Sequence, residues 1–135
     1  MRLRTIVALS LAGLAVSAPL ASAQEPSKAI TMTIDKTKPA TGQLTFTTVP
    51  TGFTYKKVPY AGSANVSGQG HAHMYCKADG QKKAKYVGWT GSGMTSTTDK
   101  KMLKAGTTYR CFAVFSENDH TEETTVRSNW VKVVV

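Results

Sequence analysis

Apolar and polar residues alternate at every second position through most of this chain, in short runs that turn signals interrupt. Ile30, Met32 and Ile34 alternate with Thr31, Thr33 and Asp35, and Leu44 and Phe46 alternate with Thr45 and Thr47. Segments 53–58, 71–78 and 85–90 have the same character, and 109–115 and 130–135 show it most strongly. Successive side chains of a strand point to opposite faces, so a period of two gives one face for a core and one for solvent. A helix needs a period near 3.6, and that signal is almost absent after residue 24. The punctuation is regular too. Lys38-Pro39-Ala40-Thr41-Gly42, Pro50-Thr51-Gly52, Ala61-Gly62-Ser63, Asp79-Gly80, Gly91-Ser92-Gly93 and Ala105-Gly106 carry the residues that turns require. Six or seven short strands at this spacing predict an all-β sandwich or barrel, with a loose lead-in over 24–29 and no internal repeat.

The N-terminus reads differently. Arg2 and Arg4 precede an apolar run from Ile6 to Val16, broken only by Ser10 and Gly13, and Ala21-Ser22-Ala23 is a small-residue cleavage pattern. These features predict a secretory signal peptide over 1–23, followed by a single domain over 24–135 that is extracellular or periplasmic. The apolar run is shorter than the roughly 17–25 residues of a spanning helix, so no transmembrane segment is expected. Loss of Arg2 and Arg4 lowers the net charge from +9 to about +7. A basic exported domain suits an anionic cell-surface or cell-wall polymer. Aromatics are not interleaved among the lysines, however, and nucleic acid is not an expected partner. Cys76 and Cys111 are the only cysteines. In an oxidising compartment such a pair is expected to be a disulfide, closing a loop of about 35 residues and stabilising the fold by roughly 3–4 kcal/mol.

The segment Leu103-Lys104-Ala105-Gly106-Thr107-Thr108-Tyr109-Arg110-Cys111-Phe112-Ala113-Val114 resembles the corner before the sixth strand of fibronectin type III modules, with its Leu, Gly-Thr turn, Tyr and alternating strand. In that corner the tyrosine hydroxyl bonds back to the backbone. Secreted bacterial modules of this type often carry one Cys in the third strand and one in the sixth, which Tyr75-Cys76 and Tyr109-Arg110-Cys111 match. Arg127-Ser128-Asn129-Trp130-Val131-Lys132-Val133 resembles their last strand. The resemblance covers about 75–135 and implies an immunoglobulin-like, fibronectin type III-like sandwich of six to seven strands. The first half departs from it: the second strand lacks the usual tryptophan, and 52–70 is unusually long.

The three histidines are not scattered. His71 and His73 share Gly70-His71-Ala72-His73-Met74-Tyr75-Cys76, and His120 ends Asn118-Asp119-His120. Strand residues two apart share a face about 6–7 Å apart, close enough to chelate one ion. Ala72, Met74 and Cys76 suit the core, so His71 and His73 are expected to point outward or to a rim, and Met74 is expected to be core rather than a ligand. If Cys76 faces Cys111 on an adjacent antiparallel strand, His73 falls level with Val114 and His71 with Ser116. His120 then follows in the next loop, near Glu117, Asp119, Glu122 and Glu123, while Lys77, Lys82, Lys83 and Lys85 map to the other end. The expected site is a copper or zinc ion held by His71, His73 and His120, with Asp119 as a helper. Gly-His-Ala-His with the later Asp-Gly and Asn-Asp-His also resembles a loosely characterised group of small exported bacterial β-proteins. That resemblance implies no definite activity.

Two readings therefore stand. One is a secreted, non-catalytic metal-binding protein. The other is a cell-surface or cell-wall interaction module that uses its basic surface, with structural histidines. A copper enzyme is a weaker third. Other chemistry is not expected, because both cysteines are committed, no serine sits in a nucleophile elbow and no carboxylates are spaced as an acid–base pair. Gly91-Ser92-Gly93 opens no helix and is not a phosphate cradle. Asn65-Val66-Ser67 is a glycosylation sequon. Trp89, Trp130, Tyr86, Tyr60 and Tyr55 are expected as core or edge cover rather than a sugar platform.

Overall fold

A computed structural model describes residues 27–57 and 63–135. The expected signal peptide and Tyr60 lie outside the described residues. Among the described residues the regular structure is strand apart from one turn of 3-10 helix at Pro39–Thr41. In chain order the strands are β1 (Ala29–Lys38), β2 (Gln43–Thr51), β3 (Thr54–Tyr55), β4 (Gln69–Ala78), β5 (Lys85–Thr90), β6 (Thr95–Thr97), β7 (Thr108–Ser116), β8 (Glu122–Arg127) and β9 (Val131–Val134). They form two sheets. One is β1-β2-β6, and the other centres on β4 and β7, which pair antiparallel from His71 to Ala78 and from Tyr109 to Ser116. β5 and the short parallel β3 flank β4, while β8 and β9 share the far edge of β7. The edge breaks between β8 and β9 because buried Ser128 locks onto β7. Its backbone N–H donates to the Ala113 carbonyl, and its hydroxyl oxygen accepts from the Ala113 N–H at 2.9 Å.

The two sheets close over one core, as their alternation predicts. Ile30 and Met32 from β1 and Leu44 and Phe46 from β2 meet Ala72, Met74 and Cys76 from β4, Val87 from β5, and Tyr109, Ala113 and Phe115 from β7. Phe46, Phe115, Leu44 and Met74 are fully buried. Each contributes about 1.5–3 kcal/mol relative to an exposed side chain. The disulfide Cys76–Cys111 joins directly opposed residues on β4 and β7. The corner before β7 has the expected tyrosine bond, with the Tyr109 hydroxyl accepting from the Lys104 N–H at 2.9 Å.

Several boundaries depart from expectation. Within the run at 53–58, whose Val58 lies outside the described residues, the strand is Thr54–Tyr55, pairing parallel with the start of β4. Threonine-rich β6 was not expected as a strand, because it has no apolar alternation. It forms as a ladder on β2, with Thr45 and Thr47 facing Thr97 and Thr95. Trp130 lies outside β9 and stays 39% exposed, packed on Phe112 on the outer face at 4.4 Å between ring centroids. No helix among the described residues is long and apolar enough to cross a membrane.

Candidate metal centre

The β4–β7 register puts the histidine pair in place. His71 lies opposite Ser116 and His73 opposite Val114, as the disulfide-anchored pairing predicts. Alternation turns Ala72, Met74 and Cys76 into the core and His71, His73 and Tyr75 to the other face of the sheet. Fully buried Met74 therefore stands on the opposite side of the strand from the histidines.

The third ring arrives on the β7–β8 hairpin. The Glu117 N–H donates to the Thr121 carbonyl and the His120 N–H to the Glu117 carbonyl, which closes the loop tightly. His120 takes φ +69°, the left-handed region that non-glycine residues seldom occupy. Such strain persists only where surrounding contacts fix it, and it concentrates at functional sites. A second loop clasps the hairpin. Asn65 accepts from the Asp119 N–H at 2.9 Å and donates to the Glu117 carboxylate, and the Asn118 amide donates to the Ala64 carbonyl.

Together these elements place His71, His73 and His120 as one cluster, with a ligand atom from each within 4.8 Å of the others. The ring centroids of His71 and His120 are 4.6 Å apart, and those of His73 and His120 are 5.4 Å apart. The Nε2 atoms of His71 and His73 approach to 2.9 Å. Trp89 stands against His71 and Tyr86 against His73, their ring centroids 5.5 and 5.3 Å away. The expectation of outward, accessible histidines is corrected here. They do leave the core face, but the His120 loop and the aromatic wall cover them, so His71 is 0% and His73 7% exposed.

Asp119 does not join the cluster. Its Oδ1 accepts from the Thr121 N–H at 2.8 Å, a bond that holds its pKa below the usual carboxylate value. Asp119 does lie near that pole in the chain, but an Asp in a tight loop caps its own backbone. The carboxylate that does reach the histidines is Glu122. Its Oε1 lies 2.6 Å from His73 Nδ1 and accepts from the Tyr75 hydroxyl at 2.6 Å. Glu122 sits opposite Ser116, which is itself opposite His71, so the register could have singled it out.

The protons follow from these contacts. A carboxylate only accepts, so His73 carries its proton on Nδ1 and presents a lone pair at Nε2. The Nε2–H of His71 then donates to that lone pair. His71 Nδ1 and His120 Nε2 are left buried without a hydrogen-bond partner. Burial, reinforced by the neighbouring His73 and His120, pushes the His71 pKa down to about 4. Desolvation also lowers His73, against the opposing pull of Glu122. Both shifts favour the neutral imidazole in His71 and His73, the form that binds metal. Tyr75 is pushed well above its ordinary value by burial and by the adjacent Glu122 carboxylate, so its phenol stays protonated.

Comparison with known proteins finds no matching family model and no matching curated protein. Among solved structures, the chain is similar to pectate lyase PelI of Erwinia chrysanthemi in complex with tetragalacturonic acid, at 9% identity and a TM-score of 0.47. That likeness covers 78% of this chain and 28% of the lyase chain.

Proposed function

We propose that this chain is an exported, non-catalytic metal-binding protein whose ion, copper or zinc, is held by His71, His73 and His120. The observation that carries the reading is the meeting of three imidazoles from two separate chain segments, with His120 Nε2 buried and unpartnered. A buried polar atom without a partner costs about 1–3 kcal/mol, and a metal ion removes that cost for a lone-pair donor. Glu122 supports the reading, since ligating histidines commonly donate their other N–H to a carboxylate. Export is supported by the N-terminal pattern and by the disulfide. The strand order, β1-β2-β6 against β5-β4-β7 with a split edge, supports a fibronectin type III-like sandwich. The test is calorimetric titration of the folded protein with Cu(II) and Zn(II), beside a His71→Ala/His73→Ala double variant. Binding of one ion, tighter than micromolar and lost in the variant, is the expected result. Equal, weak binding in both proteins overturns the proposal.

One further observation favours the interaction-module reading for a different surface. On the outer sheet face Lys77 Nζ lies 5.1 Å from the centroid of the Trp130 ring, and Arg127 lies over Phe112 at 5.5 Å. Cations over half-exposed aromatics suit an anionic polymer, and that binding would fall steeply with added salt.

A further inference from the structure

We infer that the ion this cluster selects is copper(I), held by three nitrogens alone; this rests on reading the cluster as a metal site. Charge gives the first argument. The self-energy of an ion in a low-dielectric site grows with the square of its charge, so a divalent cation meets about four times the penalty of a monovalent one. The carboxylate in contact with the cluster is Glu122, and it reaches the outer nitrogen of His73, not the ion's position. One negative charge balances a monovalent ion and leaves a divalent one with an unmatched positive charge in a buried place.

Coordination gives the second argument. The donors that converge are three imidazole nitrogens. Asp119 has spent its Oδ1 on the Thr121 N–H. Met74 lies on the core face, so it brings no sulfur to the cluster. Zinc takes four ligands, adding water at an open position where the protein supplies three. Here that position is hemmed in. Trp89 stands against His71 and Tyr86 against His73, and the two histidines are 0% and 7% exposed. Copper(II) prefers a tetragonal field of N and O donors. The cluster supplies three imidazole nitrogens and no oxygen donor. Copper(I) has a filled d shell, imposes no such geometry and accepts three donors.

The 2.9 Å between the Nε2 atoms of His71 and His73 is shorter than the roughly 3.3–3.5 Å between two nitrogens each about 2.0 Å from a shared metal at tetrahedral or trigonal angles. A small opening of the pair admits the ion, and the proton now shared between the rings must leave Nε2 of His71. Uptake of copper(I) therefore releases or relocates one proton.

The test is an anaerobic titration with copper(I), read by competition against a chromogenic copper(I) chelator, beside calorimetric titrations with Zn(II) and Cu(II). One equivalent of copper(I) should bind at least 100-fold more tightly than either divalent ion. X-ray absorption of the loaded protein should show about three nitrogen neighbours. His71→Ala removes a fully buried ring and so puts folding itself at risk, so the companion variant is His120→Gly. Glycine suits the φ of +69° there and deletes only one ligand. It should weaken copper(I) binding at least tenfold. Tighter binding of zinc or copper(II), or a fourth light-atom neighbour, overturns the copper(I) inference and leaves a divalent site. Failure of all three ions to bind the wild type more tightly than His120→Gly removes the metal reading itself.

Discussion

His73 and Glu122 are joined at 2.6 Å between Nδ1 and Oε1, although 49 residues separate them in the chain. This contact sets the tautomer of His73 and therefore which nitrogen faces His71. The same carboxylate oxygen accepts from the Tyr75 hydroxyl, so the ring, the carboxylate and the phenol form one chain of hydrogen bonds across β4, β7 and β8. The cluster's geometry depends on a residue that offers no ligand atom to it.

Glu122→Gln tests that dependence. The amide keeps the shape but loses the charge, and its NH₂ group can face His73 as a donor, which would reverse the tautomer. Mutation of such supporting carboxylates commonly weakens metal affinity 10–100-fold. Titration of the variant should show a loss of that size with unchanged stoichiometry. An affinity within twofold of wild type would make Glu122 a surface partner of Tyr75 and no more.

The buried histidines also make stability depend on pH. The native-state pKa of His71 is lowered from an ordinary 6.5 to about 4. The unfolded chain therefore takes up a proton at pH values where the native protein does not. Stability attributable to this group is complete above pH 6.5 and is lost as pH falls toward 4. The full difference amounts to about 3 kcal/mol at one pKa unit per 1.4 kcal/mol. Urea titrations of the metal-free protein between pH 7 and 4.5 should show this fall, and His71→Phe should flatten it. By the same shift, metal affinity should persist below pH 6.5, where free histidine already loses it. A midpoint that does not move across this range would show that His71 is solvated and titrates normally.

Much of this was legible in the sequence, for identifiable reasons. Period-two alternation in β1, β2, β4 and β7 fixed the faces, because a one-residue slip would expose Met74 and Phe46. The cysteine pair then set the β4–β7 register, and register alone brought His71 level with Ser116. Side-chain choices within loops were not legible. Asp119 and Glu122 are both carboxylates close to His120 in the chain, yet one caps Thr121 and the other reaches His73 across the sheet. Nor could alternation show that the outer face would be roofed. That depends on the left-handed turn at His120 and on how Asn65 clasps the hairpin, both of which are tertiary. Strand β6 escaped for a related reason: its threonines pair through hydroxyls and carry no apolar pattern.

Gly70 links the fold to the site, and a single methyl group tests the link. A Cβ at this position would fall 2.3 Å from the Phe115 ring and 2.5 Å from the Ser116 carbonyl oxygen, both on β7. The ring cannot retreat freely, since Phe115 is 1% exposed and packs on Phe53 with 4.3 Å between centroids. Gly70→Ala must therefore push the start of β4 away from β7, where Gly70 is followed at once by His71. Overpacking of this kind costs about 1–3 kcal/mol. Denaturant titration should show a loss in that range, and the displaced His71 should weaken metal binding as well. A control at Gly80, where a Cβ meets no atom within 4 Å but φ is +85°, separates the two effects. Gly80→Ala should cost stability through backbone strain alone and leave metal affinity unchanged. Equal loss of affinity in both variants would mean that global stability, not the approach of β4 to β7, governs the histidine cluster.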